Sequence, residues 1–382
     1  MRIGIDARLY SESGIGRYIR NLLKYLQKLD RENDYFIFLL RKDFEDINFP
    51  KNFTKVLADF SWYGMEEQYK FPGLLNKYKL DLVHIPHFNV PIFYLGKMVV
   101  TVHDLIHQNF SMNRATTLDP FTYKVKQFGY STIFNLALRN SKKIIVPSNY
   151  VKSEILKKFS VYKDKIVVTY EGVDEEILKI KNQISNREIE KTMKHLNIKP
   201  PYIFYVGNAH PHKNVEGLIK AFLRIQNLEF RVQNGYKLKL VLSGSDHYFW
   251  QRLKKENMHN DIIYTGYVTD EQLVALYMGA KAFVMPSFEE GFGIPLLEAM
   301  ALGTPVVSSD AASLKEIGGD GAIYFDPNNL VEMESKIKEV LNNEKLRKEL
   351  VEKGRERVKE FSWEKLAKET LEIYQQKAEH HG

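Results

Sequence analysis

The chain has 382 residues, of which 44% are hydrophobic and 27% are charged, and this balance excludes a disordered or fibrous protein. It has no cysteine, which excludes a disulfide scaffold, thiolate catalysis and zinc held by cysteine. The net charge of +7 falls within residues 1–180, since residues 181–382 carry as many acidic as basic side chains. A chain of this length predicts two domains rather than one core.

The first half alternates β-rich runs with helical patterns. The run Arg2–Asp6 predicts a strand, and residues 15–29 place apolar side chains at helical spacing. Further strand candidates follow at residues 35–40, 81–85, 97–102, 142–147 and 165–170. The polar segment 181–199 breaks this rhythm before Pro200 and Pro201, and we interpret it as a linker region with room for a short helix.

The second half repeats the alternation. Its strand candidates lie at residues 202–206, 237–243, 262–265, 282–285, 305–308 and 322–325. Strands that alternate with helices form parallel sheets through right-handed crossovers. The predicted fold class is therefore α/β, with two doubly wound, Rossmann-like domains that face a cleft, where ligands bind at the carboxyl ends of the strands. We place the N-terminal domain at residues 1–185, the C-terminal domain at 186–360, and a C-terminal helix at 361–382 that packs back on the N-terminal domain.

The strongest motif spans residues 286–307, with the sequence PSFEEGFGIPLLEAMALGTPVV. It predicts the end of a strand, a loop with two glycines, and a helix that begins near Ile294 and ends at Gly303. Glycines let a ligand approach the backbone, and a helix N-terminus offers N–H groups to it. Glu290 and Glu298 stand eight positions apart across this turn, and carboxylates suit the hydroxyls of sugars and ribose.

This motif resembles the E-x7-E signature of retaining glycosyltransferases with the GT-B fold, family 4 or glycosyl transferases group 1, which includes bacterial mannosyl- and glucosyltransferases. The resemblance runs almost from end to end, from residues 1–8 to residues 361–367. It implies that Glu298 holds the donor ribose and that Glu290 lies near the donor sugar as a catalytic residue. The intervening residues assigned to the donor are Gly291, Phe292, Gly293 and Ile294.

A second motif follows the first strand of the second half, in residues 206–214. The next helix starts near Val215, which would place Lys213 beside an anion site at a helix N-terminus. Lys213 is similar to the family's catalytic lysine, which pairs with the donor diphosphate and stabilises the leaving nucleotide. Many members have an arginine after the glycine, but this chain has Asn208 on the donor side, a departure for which Arg17 could compensate. A surface lysine in a turn is the alternative.

In the first half, Gly14, Gly16 and Arg17 follow the first strand and open a helix. A Gly-x-Gly pair suits any dinucleotide binder, but the third glycine of a nicotinamide site is missing, since position 19 is Ile. The loop resembles the family's glycine loop, with Gly14 and Gly16 on the donor and Arg17 on the acceptor. A purely structural turn is the alternative.

The end of another apolar strand carries His103 and Asp104. His103 resembles the family's active-site histidine, which touches the donor sugar, and Asp104 is assigned to the acceptor. A structural histidine is the alternative. The four histidines of this region would suggest a zinc site, but supporting ligands at tight spacing are missing. They are His84, His87, His103 and His107. The chain also has no Asp-x-Asp pair, so we expect neither a metal nor another cofactor.

The segment Gly266-Tyr267-Val268 ends a strand, and the resemblance implies that the base-binding backbone lies in this region, with Val268 assigned to the donor. Retention of the anomeric configuration normally needs a carboxylate nucleophile, and the residues named above offer no clear one. The resemblance implies front-face substitution, in which the donor phosphate accepts the proton of the acceptor hydroxyl. Lys213, Glu290 and His103 would then position the reactants and stabilise charge.

Residues 1–8, 14–18 and 206–214 look like the mannosyltransferase branch. We therefore expect transfer of mannose from GDP-mannose to a glycan acceptor, in polysaccharide or O-antigen-type synthesis. UDP-dependent transfer of glucose, galactose or N-acetylhexosamine stays open. So do a GT-B hydrolase, epimerase or phosphorylase, a non-enzymatic binder, and a nucleic-acid binder, although no nucleic-acid motif is present.

Charges at residues 2 and 6 argue against a signal peptide, and no apolar run approaches the roughly 18 residues that span a bilayer. We expect a cytoplasmic protein. Its basic first half would suit an anionic membrane surface or a lipid-linked acceptor, with lysines among apolar residues in the predicted helices 123–139 and 151–158. A basic surface without a partner is the alternative.

Overall fold

The computed structural model describes residues 1–109, 120–227, 237–245 and 247–376. The strands are β1 Arg2–Asp6, β2 Asp34–Leu39, β3 Phe53–Leu57, β4 Leu82–Ile85, β5 Met98–Thr101, β6 Lys143–Val146, β7 Ile166–Val168, β8 Tyr202–Val206, β9 Lys239–Ser243, β10 Ile262–Gly266, β11 Ala282–Met285, β12 Val306–Ser309 and β13 Ala322–Phe325. The helices are α1 Gly14–Leu29, α2 Arg41–Phe44, α3 Met65–Lys77, α4 Ile106–Asn109, α5 Pro120–Asn140, α6 Asn149–Lys158, α7 Glu175–Gln183, α8 Asn186–His195, α9 Val215–Asn227, α10 Tyr248–Glu256, α11 Asp270–Gly279, α12 Ile294–Leu302, α13 Leu314–Gly318, α14 Leu330–Asn342, α15 Glu344–Val358 and α16 Trp363–Gln375.

The chain divides into two compact units, Met1–Glu171 together with the segment from Ser362, and Gly172–Phe361. The first unit contains a parallel sheet in the order β3-β2-β1-β4-β5-β6-β7. The strand order reverses at β1, which pairs with β2 on one side and with β4 on the other. In such sheets, ligands bind at the carboxyl ends of the strands that flank the reversal.

The sequence prediction missed β3. Its residues Phe53 and Val56 are buried, whereas Thr54 is exposed and Lys55 is half-buried. This mixed pattern arises because β3 is an edge strand, while the inner strands are buried on both faces and read as continuous apolar runs.

The second unit contains a parallel sheet in the order β10-β9-β8-β11-β12-β13, and here the order reverses at β8. Each strand predicted for this half is present within a residue or two of its expected bounds. The reversal places the loops after β8 and β11 side by side at the carboxyl edge. These are the loops that carry the two motifs of the second half.

The interpretation of residues 181–199 as a linker is wrong, since α7 and α8 are packed helices of the second unit that contact α11. Asp174 caps α7, and Ser185 forms a capping box with Glu188 at the start of α8. Each helix has one buried residue, Ile177 in α7 and Met193 in α8. With so few apolar positions, the sequence pattern resembles that of a solvent-exposed linker. The units accordingly divide after Glu171, before the predicted boundary at residue 185.

The C-terminal helix α16 lies in the first unit and packs against α1. Trp363 contacts Tyr18 edge to face, with ring centroids 6.2 Å apart, and Tyr374 reaches the buried His84. This arrangement confirms the expected packing of the helix on the N-terminal domain. None of the helices in the described part of the chain combines the length and apolar character that a membrane span needs.

Candidate active site

Lys213 and Glu290 meet at the strand-order reversal of the second sheet. Lys213 lies in the turn after β8 and Glu290 in the loop after β11, and these two strands are paired. Lys213 Nζ lies 2.8 and 2.7 Å from the two carboxylate oxygens of Glu290. The side chains are only 17% and 9% exposed, so each charge depends on the other for compensation when no ligand competes.

Three buried serines support the loop that carries Glu290. Ser287 Oγ donates to Glu290 Oε1 at 2.7 Å, and Ser309 Oγ donates to the Ser287 carbonyl at 2.6 Å. Ser313 Oγ lies 3.0 Å from the backbone carbonyls of both Glu290 and Phe292. Sequence reasoning missed these serines, although a serine at the carboxyl end of a buried strand is a usable signal.

The turn that carries Lys213 is tied to the same loop. Asn214 adopts a left-handed conformation with a φ of +54°, which asparagine tolerates better than most residues. Its Nδ2 donates to the carbonyls of Pro286 and Pro327 at 3.0 and 3.1 Å. The distance between Lys213 and Glu290 is therefore set by backbone contacts on both sides, and Asn214 is a positioning residue that the sequence analysis missed.

The glycine loop leads into α12 as predicted, since the helix begins at Ile294 and is capped by Gly303. Gly293 has a φ of +106°, and a Cβ atom there would lie 2.7 Å from the Leu314 side chain. Gly291 and Phe292 are buried beside it. The loop thus needs glycine at position 293 for its conformation and its packing.

The other donor-side residues lie around this centre in the second unit. Glu298 is 2% exposed, and its Oε2 accepts a hydrogen bond from the Tyr277 hydroxyl at 3.0 Å. Asn208 is exposed after β8, where its Oδ1 accepts from the His210 N–H at 3.2 Å. Val268 is buried after β10. The structure thus joins Lys213 directly to Glu290, while Tyr277 of α11 holds Glu298.

In the first unit, His103 lies between two acceptors at the carboxyl edge of the sheet. Its Nε2 donates to the Pro86 carbonyl at 3.0 Å, and its Nδ1 lies 3.5 Å from Glu171 Oε1. The ring also meets Tyr18 edge to face at 4.9 Å. Glu171 and Tyr18 hold this imidazole in one orientation, and sequence reasoning did not predict either role. Asp104, next along the chain, caps the short helix α4 by accepting from the Ile106 N–H at 3.1 Å.

Gly16 is required by the backbone, and Gly14 is not. A Cβ atom on Gly16 would lie 2.5 Å from the Tyr10 carbonyl and 2.8 Å from the Leu9 carbonyl, whereas a Cβ atom on Gly14 meets nothing within 4 Å. Arg17 is half-buried in the first turn of α1. The predicted glycine loop is thus the first turn of α1, and the segment after β1 packs closely against it at Gly16.

His84 is a core residue. Its Nε2 lies 2.8 Å from Thr101 Oγ1 and its Nδ1 lies 2.5 Å from the Tyr374 hydroxyl, so both ring nitrogens are engaged. Burial lowers the pKa of His84 to about 3, which keeps the ring neutral. No group of three or more acidic or histidine side chains in the described residues is arranged to hold a metal ion, and the side chain of His107 lies outside that part.

Comparison with known proteins shows to which family the chain belongs. The family described as Glycosyl transferases group 1 matches residues 186–357, and Glycosyltransferase Family 4 matches residues 13–177. The O-antigen chain mannosyltransferase B of Escherichia coli is 32% identical over 305 residues, which cover 78% of this chain and 75% of that protein. The chain belongs to glycosyltransferase family 4.

This family 4 glycosyltransferase is also similar to the O-antigen chain mannosyltransferase RfbU of Salmonella typhimurium, at 27% identity over 292 residues, 75% of this chain and 72% of that protein. Among solved structures, sucrose-phosphate synthase from Thermosynechococcus elongatus superposes with a TM-score of 0.75 at 19% identity, over 98% of both chains. That likeness shows the fold, two Rossmann-like domains of the GT-B type. The predicted family and fold class are confirmed.

Proposed function

We propose that this enzyme is a retaining mannosyltransferase that transfers mannose from GDP-mannose to a glycan acceptor, in polysaccharide or O-antigen-type synthesis. The names of its relatives from Escherichia coli and Salmonella typhimurium support mannose as the sugar. The Lys213–Glu290 pair at the strand-order reversal of the second sheet supports the chemistry, and it is the observation that carries the proposal.

In the proposed reaction, the donor diphosphate competes with Glu290 for Lys213. The Lys213 ammonium then stabilises the negative charge that grows on the leaving nucleotide as the bond to the sugar breaks. Glu290, released from its cation, accepts hydrogen bonds from the sugar hydroxyls. His103 is the catalytic residue that we propose for the first unit. The acceptor hydroxyl attacks the anomeric carbon on the face that the phosphate leaves, and a phosphate oxygen takes its proton. No metal or other cofactor takes part.

Binding of the nucleotide uses the remaining donor-side residues. Glu298 accepts hydrogen bonds from the ribose hydroxyls, and the backbone near Val268 contacts the base. The α12 N-terminus with its glycine loop contacts the donor. On the acceptor side we place Arg17 and Asp104.

A thermal-shift comparison of the pure protein with GDP, UDP and their sugars tests the donor. Ligand at about 100 times its Kd stabilises a protein by about 2.7 kcal/mol, which raises the midpoint by several degrees. We expect this rise with GDP and GDP-mannose and little change with UDP. Stabilisation by UDP alone, with turnover of a UDP-sugar, would replace the proposal with UDP-dependent hexosyl transfer. Proton NMR of the product then establishes whether the anomeric configuration is retained.

We further propose that the acceptor is lipid-linked and that the enzyme attaches peripherally to the anionic inner face of the cytoplasmic membrane. The first unit carries the whole positive excess of the chain, which favours an anionic surface. Its helix α6 contributes less than the sequence suggests, because Lys157 and Lys158 both pair with Glu154. The side chains of residues 120–128, in the other predicted helix, lie outside the described part.

A further inference from the structure

Tyr63 is an exposed aromatic residue in an unusual backbone conformation. It lies between β3 and α3 with a φ of +62°, in the left-handed region that bulky side chains rarely adopt. The residue is nevertheless 57% exposed, so burial of its ring does not explain the conformation. One side of the ring meets His87 and Phe88, with ring centroids 5.7 and 6.1 Å apart, and the remainder is open to a ligand. Strained residues cluster at binding sites, which makes this exposed ring a candidate for one.

A buried polar network holds this turn in place. The Tyr63 N–H donates to Glu67 Oε2 at 2.9 Å, and Glu67 is fully buried. The same carboxylate accepts from Arg8 Nη2 and from Asn89 Nδ2, each at 2.6 Å. Arg8 is also paired with Asp6 at the end of β1, at 2.7 Å. The position of Tyr63 is therefore set by the ends of two strands, β1 and β4, that flank the strand-order reversal.

Two polar atoms of the same network make no hydrogen bond within the described part of the chain. Arg8 Nη1 and Asn89 Oδ1 are buried without a hydrogen-bond partner among the described residues. The Arg8 guanidinium lies over the fully buried Phe71 ring, 4.2 Å from its centroid, so this network belongs to the core and anchors the turn that carries Tyr63.

The hydroxyl of Tyr63 is arranged as a donor. His87 Nδ1 accepts from the Asn89 N–H at 3.2 Å, so the neutral imidazole carries its proton on Nε2. That Nε2 lies 3.2 Å from the Tyr63 oxygen and donates to it. A tyrosine hydroxyl, with an ordinary pKa near 10, keeps its own proton at neutral pH. The Tyr63 O–H can then donate to a further acceptor.

We propose that Tyr63 is an acceptor-binding residue, whose exposed ring stacks on a pyranose of the glycan acceptor and whose hydroxyl donates to a sugar oxygen. The C–H face of a pyranose carries partial positive charge and suits the electron-rich face of an aromatic ring. Asp104, which follows β5, the strand paired with β4, is the other acceptor-side residue of this unit and would bind the same acceptor. The inference rests on the proposed function, because it requires a glycan acceptor.

The test uses two variants of the full chain. Tyr63→Gly removes the ring and also relieves the positive φ, so we expect it to fold at least as well as the wild type. Tyr63→Phe keeps the ring and removes only the hydroxyl. Tyr69→Ala is the matched control, because Tyr69 is also exposed, at 64%, and lies nearby on α3, where it stacks on Phe93.

The probes are GDP-mannose as donor and mannotriose as acceptor, with methyl glycosides of mannose, glucose, galactose and N-acetylglucosamine as further acceptors. With the acceptor that the wild type uses best, we expect Tyr63→Gly to raise its KM by about tenfold and Tyr63→Phe by about threefold. The KM for donor should change much less than the KM for acceptor, because Tyr63 is assigned to the acceptor. Saturation-transfer NMR should show the same loss of acceptor binding without turnover.

An unchanged acceptor KM in a folded Tyr63→Gly protein would overturn the inference. Equal losses in Tyr69→Ala would also overturn it, since they would indicate a general apolar or membrane-facing surface. A wild type that releases nucleotide from the donor but neither binds nor uses any of the glycosides likewise contradicts the glycan site. If the wild type turns over no nucleotide sugar at all, the proposed function fails instead.

Discussion

At the scale of residues, the candidate active-site side chains are held by ion pairs and hydrogen bonds to other groups of the protein. Lys213 and Glu290 form a largely buried ion pair, and removal of one partner leaves the other charge poorly compensated. His103 is similarly held between Pro86 and Glu171. A donor diphosphate that pairs with Lys213 would therefore also remove the cation that compensates the charge of Glu290.

We expect Lys213→Met to lower kcat by about 100-fold with a much smaller change in the KM for donor, because the leaving-group charge grows in the transition state. Steady-state kinetics with GDP-mannose measures both. Lys220→Met is the matched control, since Lys220 is an exposed lysine of α9 that pairs with Glu216 on the same helix. A raised KM with normal kcat in Lys213→Met would instead indicate uniform binding of substrate and transition state.

His84 should make the first unit sensitive to acid. Its pKa lies near 6.5 when the chain is unfolded and is lowered to about 3 by burial in the folded protein. Between these two pKa values the unfolded state binds a proton that the folded state does not. The free energy of unfolding therefore has its full value above pH 6.5 and falls as the pH decreases. Through this residue alone, acidification to pH 5 should lower the free energy of unfolding by about 2 kcal/mol.

Urea unfolding at pH 7.5 and at pH 5 measures this effect. We expect His84→Gln to be less stable at pH 7.5, because the hydrogen bonds to Thr101 and Tyr374 change, but to lose less stability on acidification. His195→Gln, at an exposed position in α8, should keep the pH dependence of the wild type. An identical dependence in all three proteins would show that His84 does not control it.

At the scale of elements, α16 shows how a segment distant in the chain completes the first unit. One face of α16 is almost fully buried, with Trp363, Leu366 and Ala367. The Tyr374 hydroxyl on the same helix forms a hydrogen bond with His84 of β4. The opposite face carries charged residues such as Lys365 and Lys368, which are exposed. The helix is thus amphipathic and depends on the first unit for its stability.

Trp363→Ala should destabilise the first unit by about 3–5 kcal/mol, the usual cost of truncating a buried large aromatic side chain. Thermal or urea unfolding followed by tyrosine fluorescence or circular dichroism measures it. Lys368→Ala on the exposed face of the same helix should change stability by less than about 0.5 kcal/mol. Equal stability of the two variants would mean that α16 is not an integral part of the unit.

At the scale of the whole molecule, charge is divided unevenly between the two units. The first unit is basic and the second is close to neutral. Each basic residue near an anionic bilayer contributes roughly 1 kcal/mol, so a few of them suffice for reversible attachment. The residues that we propose for the acceptor, Arg17, Tyr63 and Asp104, belong to the basic unit as well.

Sedimentation with vesicles tests this consequence. We expect the protein to bind vesicles that contain phosphatidylserine or phosphatidylglycerol, to ignore neutral phosphatidylcholine vesicles, and to dissociate as salt rises from 50 to about 300 mM. Equal, negligible binding to both kinds of vesicle would contradict peripheral attachment and leave the transferase assignment intact.

The sequence by itself determined the inner strands, the start of α12 and the family. These features depend on local periodicity, on glycine at a few positions and on a motif that is contiguous in the chain. Residues 181–199 were misjudged because two short helices with one buried anchor each look solvated until α11 is placed against them. The tertiary structure alone decided the partners: Lys213 and Glu290 are 77 positions apart, and His84 and Tyr374 are 290 apart. No local pattern records such pairs, because hydrogen bonds and ion pairs act over a few ångströms, and only the folded sheets bring these side chains that close.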